Sequence, residues 1–78
     1  MFMERKTFIR WYIVALRKRV KKWADNEMQK LERGSCILLD LTFAEQWLDA
    51  EEIRWAWGCV ENARKLAQEL KIIRAIKT

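Results

Sequence analysis

Histidine and proline are absent from this chain of 78 residues, and glycine and cysteine occur twice each. Each shortage removes a class of explanation. Without histidine, no Ser-His or Cys-His pair can be assembled, and Cys36 and Cys59 are too far apart for a zinc-finger spacing. The usual hydrolytic machinery is therefore excluded. Two cysteines make no disulfide framework and fit a reducing compartment. The only apolar run near the N-terminus, Phe8 to Leu16, contains Arg10 and lacks a small-residue cleavage site. It is also far short of the roughly 20 residues that cross a bilayer. These features predict a soluble, cytoplasmic protein with no membrane partner.

What is present points to helices. The chain is 51% hydrophobic and, lacking proline, has little to interrupt a long helical run. A chain of this length buries only about 60 to 65% of its unfolded surface, so one small domain over residues 1–78 must rely on dense helix packing or on a partner subunit.

Charge divides the chain into three. Residues 1–33 hold ten Lys/Arg and four Asp/Glu, residues 34–53 hold none and five, and residues 54–78 hold six and two. The nets of +6, −5 and +4 sum to the overall +5. In the first part Ile9, Ile13, Leu16, Val20, Ala24, Met28 and Leu31 recur at spacings of three and four, one helical stripe of about six turns. The Asp25-Asn26 pair interrupts this stripe, giving a kinked helix or two segments, and Gly34 is placed as the left-handed residue past the helix end. Residues 36–39 then read as a buried connector or the first turn of a short helix. Thr42 and Glu45 have the form of a capping box for a short helix over residues 43–48, and Asp49 and Glu52 open a long one from about Ala50 to Lys77. The fold class expected is all-α: a small helical bundle of two long antiparallel helices with one or more short connecting helices.

On the first helix Arg10, Arg17, Lys18, Lys21 and Lys22 fall in one sector of about 140°, opposite the apolar stripe, with Trp11 among them. An indole ringed by cations makes an anchor for an acidic protein surface. It equally suits nucleic acid, where cations neutralise phosphate and the ring stacks on a base. The plainer reading is a solvated helix face with Trp11 covered by Met1, Phe2 and Met3.

Glu45, Asp49 and Glu52 can share a helix face, which raises a metal or acid-base site. Helix capping accounts for them more simply. No EF-hand loop is present, so neither metal nor cofactor is called for. An acidic middle between two basic ends also predicts pairing with one of them, within the chain or in a second copy.

In the last part the apolar residues spread over an arc of about 200°, wider than a surface helix needs. Trp55 and Trp57 bracket it, while Cys36 and Cys59 read as small buried apolar residues. The plainer reading is a central helix in a single three-helix core; the alternative leaves one side as an interface, and Trp57, Val60, Ala63, Ala67 and Leu70 are then the expected self-association seam of a homodimer.

Residues 41–45, followed by Ile53-Arg54-Trp55, resemble the opening of helix-turn-helix regulators such as phage excisionases. The turn is several residues too short, lacks the usual small residue and glycine, and leads into an acidic helix start, so the family is not assigned. The function expected is a small non-enzymatic interaction module. It binds a protein or nucleoprotein partner through Arg10, Trp11, Arg17, Lys18, Lys21 and Lys22, with direct DNA or RNA binding by the same face as the alternative.

Overall fold

The computed structural model describes residues 4–74. It is all-α, with three helices: α1 (Arg5–Ala24), α2 (Met28–Asp49) and α3 (Ile53–Glu69). Among the described residues there is no strand, and no helix is long and apolar enough to cross a membrane.

α1 follows the predicted stripe. Ile9, Ile13, Leu16, Val20 and Ala24 are all buried. The stripe stops there, because Asp25 and Asn26 both take left-handed backbone angles (φ 44° and 60°). Short polar side chains tolerate that region better than other non-glycine residues do. Met28 and Leu31, placed by the sequence pattern on the same stripe, lie beyond the turn and are exposed.

The two-long-helix arrangement gives way to three helices of similar length, since the end of the expected first helix, residues 36–39 and the expected short helix over 43–48 all belong to the 22-residue α2. Gly34 does not end a helix. It is buried inside α2, where a Cβ would stand 3.2 Å from Val20 Cγ1 and 3.6 Å from the Trp23 ring. Its lack of a side chain serves the close approach of α1 and α2 rather than a turn. Thr42 caps nothing either; its hydroxyl donates to the Leu38 carbonyl one turn back (3.0 Å).

α2 and α3 end in the same way. At the α2 terminus the Glu52 amide donates to the Trp47 carbonyl (2.8 Å) and the Glu51 amide to Leu48 (3.0 Å). At the α3 terminus Ile72 donates to Ala67 (2.8 Å) and Lys71 to Gln68 (3.0 Å). Both are Schellman motifs, with Glu51 (φ 63°) and Lys71 (φ 60°) in the left-handed position that glycine normally fills. The expected helix to Lys77 thus stops at Glu69, and its last residues, 75–78, lie outside the described part. Ile72 and Ile73, freed from the helix, pack back against the core.

Side-chain contacts fix the topology. Lys6 reaches Glu51 and Arg17 reaches Glu45, so α1 and α2 are antiparallel. Trp47 stacks on Trp55 beside the turn and Asp40 lies near Cys59 farther from it, so α2 and α3 are antiparallel. Phe8 meets Trp57, bringing the starts of α1 and α3 together. The core is one cluster drawn from all three helices, with Ile13, Ile37, Leu41, Leu48 and Val60 fully enclosed.

Candidate functional site

The basic sector of α1 is split by the fold. Its α2-facing flank carries Lys6, Arg10 and Arg17, and each meets an acid from the end of α2 or the turn after it. Lys6 Nζ lies 2.6 Å from Glu51 Oε1, Arg10 is 3.3 Å from Asp49 Oδ1, and Arg17 is hydrogen-bonded to Glu45 Oε1. The acidic middle segment therefore pairs with the first helix of its own chain. Arg17 and Glu45 are the least exposed of the three pairs.

The outward flank differs. Lys18, Lys21 and Lys22 are exposed and make no ion pair among the described residues. Trp11, 58% exposed, lies on the same outward line of α1, about two turns before Lys18. Met1, Phe2 and Met3, which the sequence reading set over Trp11, lie outside the described residues. Phe8 props Trp11 from the side at a ring-centroid distance of 6.2 Å, and itself lies 6.2 Å from Trp57 and 6.3 Å from Tyr12. A chain of aromatic rings thus runs from the outward face of α1 to α3.

That α1–α3 flank gathers cations the linear pattern did not bring together. One cleft is lined by Arg5, Phe8, Ile9, Ile53, Arg54 and Trp57. A second is lined by Tyr12, Arg19, Arg64, Gln68, Ile73 and Arg74. Arg64 is held by Glu61 at 2.6 Å, and its Nε is buried without a hydrogen-bond partner. Burial pushes the Tyr12 hydroxyl above its ordinary pKa, against the pull of the Arg64 guanidinium. These arginines could be grouped only once α1 and α3 were known to start side by side.

Two expectations are corrected here. Val60, Ala63 and Ala67 of the self-association seam are completely buried, and Leu70 is half-buried against the core. α1 and α2 together cover the apolar arc of α3, so those residues face no second copy; Trp57, 36% exposed, turns toward Phe8 and Tyr12. The capping roles expected of Glu45, Asp49 and Glu52 are not seen either. Glu45 and Asp49 are drawn to separate arginines, and Glu52 precedes α3 without a side-chain capping bond. Among the described residues no three His, Cys, Asp or Glu side chains come together as a metal site.

A third surface is apolar. Leu39, Phe43 and Trp47 follow one another at four-residue intervals on the outside of α2, exposed by 55%, 44% and 39%. Trp55, 64% exposed, continues the row across to α3 by stacking on Trp47 with centroids 5.8 Å apart. Cys36, expected to be buried, is exposed at the near end of this row. No protein-family model, curated protein or solved structure matches the chain.

Proposed function

We propose that the protein is a non-enzymatic cytoplasmic binding module that docks the outward face of α1 on an acidic protein or nucleoprotein surface. Trp11 is the anchor at one end of the face, Lys18, Lys21 and Lys22 continue it toward the C-terminal end of α1, and Arg10 and Arg17 form the inner edge. The observation that carries this reading is the position of Trp11: an indole 58% exposed on the flank whose lysines have no acidic partner among the described residues. Large aromatic anchors ringed by polar groups supply most of the energy at protein interfaces. Lysines without local partners add steering and a preference for acidic surfaces.

Direct nucleic-acid binding is the second reading, and one observation favours it. The acidic segment that would repel a phosphate backbone is matched by α1 cations, while Arg5, Arg19, Arg54, Arg64 and Arg74 extend the positive surface over the α1–α3 flank.

Association with random-sequence duplex and single-stranded DNA, measured across a salt series, separates the two. The protein-binding reading predicts weak association with either at physiological salt. It also predicts capture of a defined acidic protein from nuclease-treated extract, lost in Trp11→Ala while the helical circular dichroism is unchanged. Tight duplex binding that falls linearly on a log-log plot, by about 0.9 per phosphate contacted, would replace it with the second reading.

A further inference from the structure

We infer that the exposed row Leu39, Phe43, Trp47 and Trp55 on the α2–α3 face is the interface of a two-fold homodimer, formed by antiparallel packing of α2 on its counterpart. The row is contiguous, since three members share one helix line and the fourth is stacked on the last of them. With a whole aromatic side chain offering about 150–250 Å², the exposed fractions leave about 400 Å² of these four side chains in water per copy. Two copies therefore bury about 800 Å² through the row alone. The exposed Ser35, Cys36 and Ala50 adjoin the row and add to this, toward the lower end of what a specific interface needs, about 1,200 Å². An interface of that size belongs to the weak, transient class.

Among the faces open to a two-fold dimer, charge favours this one. The chain carries a net +5, and a two-fold axis sets each surface against itself, so lysines meet lysines if α1 faces α1 and arginines meet arginines on the α1–α3 flank. The row Leu39, Phe43, Trp47 and Trp55 contains no cation.

Shape and the flanking charges are self-complementary as well. Antiparallel packing centred on Phe43 sets position 39 against 47, 36 against 50, and 33 against 53. The bulky end, where Trp47 and Trp55 stack, then covers the small end, Ser35 and Cys36, of the other copy. Arg33, exposed beyond the small end, comes to the exposed Glu52 beyond the bulky end. Each charge pair and each large-small pair occurs twice, as an isologous interface requires. The assignment does not depend on the role proposed for Trp11.

Sedimentation velocity on the full chain tests it. The wild type should move from monomer toward twice the monomer mass as its concentration passes through about 1–100 μM. Phe43→Glu, a change at an exposed position on the axis, should keep the helical circular dichroism and sediment as a monomer throughout. Arg33→Glu and Glu52→Arg should each weaken the dimer, and the two together should restore it. Trp11→Ala should leave the dimer intact. A wild type that stays monomeric over this range would assign the face to a different protein and overturn the inference. So would a dimer indifferent to Phe43→Glu, or a charge exchange that fails to restore association.

Discussion

Val20 Cγ1 lies 3.2 Å from the point where a Cβ on Gly34 would sit, so the absence of a side chain at position 34 sets the separation of α1 and α2. Alanine there should gain about 1 kcal/mol of helix propensity. It should lose more than that, because Val20 is 1% exposed and its branched side chain has one strongly preferred rotamer within a helix. Chemical denaturation of Gly34→Ala should therefore show a small net destabilisation. In a Val20→Ala background the same change should stabilise, with a coupling energy of about 1–2 kcal/mol.

Gly58 is the natural control. It also lies inside a helix, but a Cβ there would meet nothing within 4 Å. Gly58→Ala should raise stability by about 0.5–1 kcal/mol in any background. A loss on that substitution would mean that α3 is covered at this point by something other than the helices described.

The two Schellman turns give a second pair of expectations. Lys71 and Glu51 hold φ near 60°, a conformation that costs a non-glycine residue about 1 kcal/mol or more. Lys71→Gly should raise the midpoint of thermal unfolding by a few degrees, in proportion to that cost. Glu51→Gly removes the same strain but also the contact with Lys6, worth up to about 0.5 kcal/mol for a pair this exposed. Its gain should be the smaller of the two. Equal gains would mean that the Lys6 contact contributes nothing.

The ion pairs between α1 and the acidic segment should differ among themselves. Arg17 and Glu45 are both shielded, whereas the acids of the other two pairs are 71% exposed at their side chains. Glu45→Gln should cost about 1 kcal/mol, and Asp49→Asn within about 0.5 kcal/mol of nothing, when both are measured by urea denaturation at low salt. Molar salt should erase the Asp49 effect first.

The apolar stripe from Ile9 to Ala24 was legible because five residues at helical spacing leave one reading. The end of each helix was not. Asp25, Glu51 and Lys71 occupy the left-handed positions where glycine is the usual marker, while Gly34, which looked like a stop, is spent on close packing. Thr42 and Glu45 match a capping box in sequence, but the pattern falls inside α2, where Thr42 bonds one turn back and Glu45 turns to Arg17. Charge blocks foretold that the acidic segment would pair with a basic one. They could not say that Arg10 and Arg17 would be drawn in and Lys18, Lys21 and Lys22 left outside, because that depends on which flank of α1 faces α2.

Asp40 and Cys59 supply a prediction with a defined sign. Burial raises the Asp40 carboxyl above its ordinary pKa, and burial together with the Asp40 charge raises the Cys59 thiol. A carboxyl whose folded pKa is raised contributes stability that is present below its unfolded pKa and lost as pH rises through the folded one. Asp40→Asn should therefore stabilise the fold at pH 7, and the gain should vanish as the pH drops below the ordinary aspartate range. The same substitution should speed the reaction of Cys59 with a disulfide reagent at pH 8, since only the thiolate attacks. The acceleration should be modest, because burial, the larger cause, is unchanged. Cys36 is exposed and should react first in dilute protein, which gives two resolved phases. An Asp40→Asn variant whose slow phase is unchanged while its neutral-pH stability rises would mean that the carboxylate acts on the fold but not on the thiol.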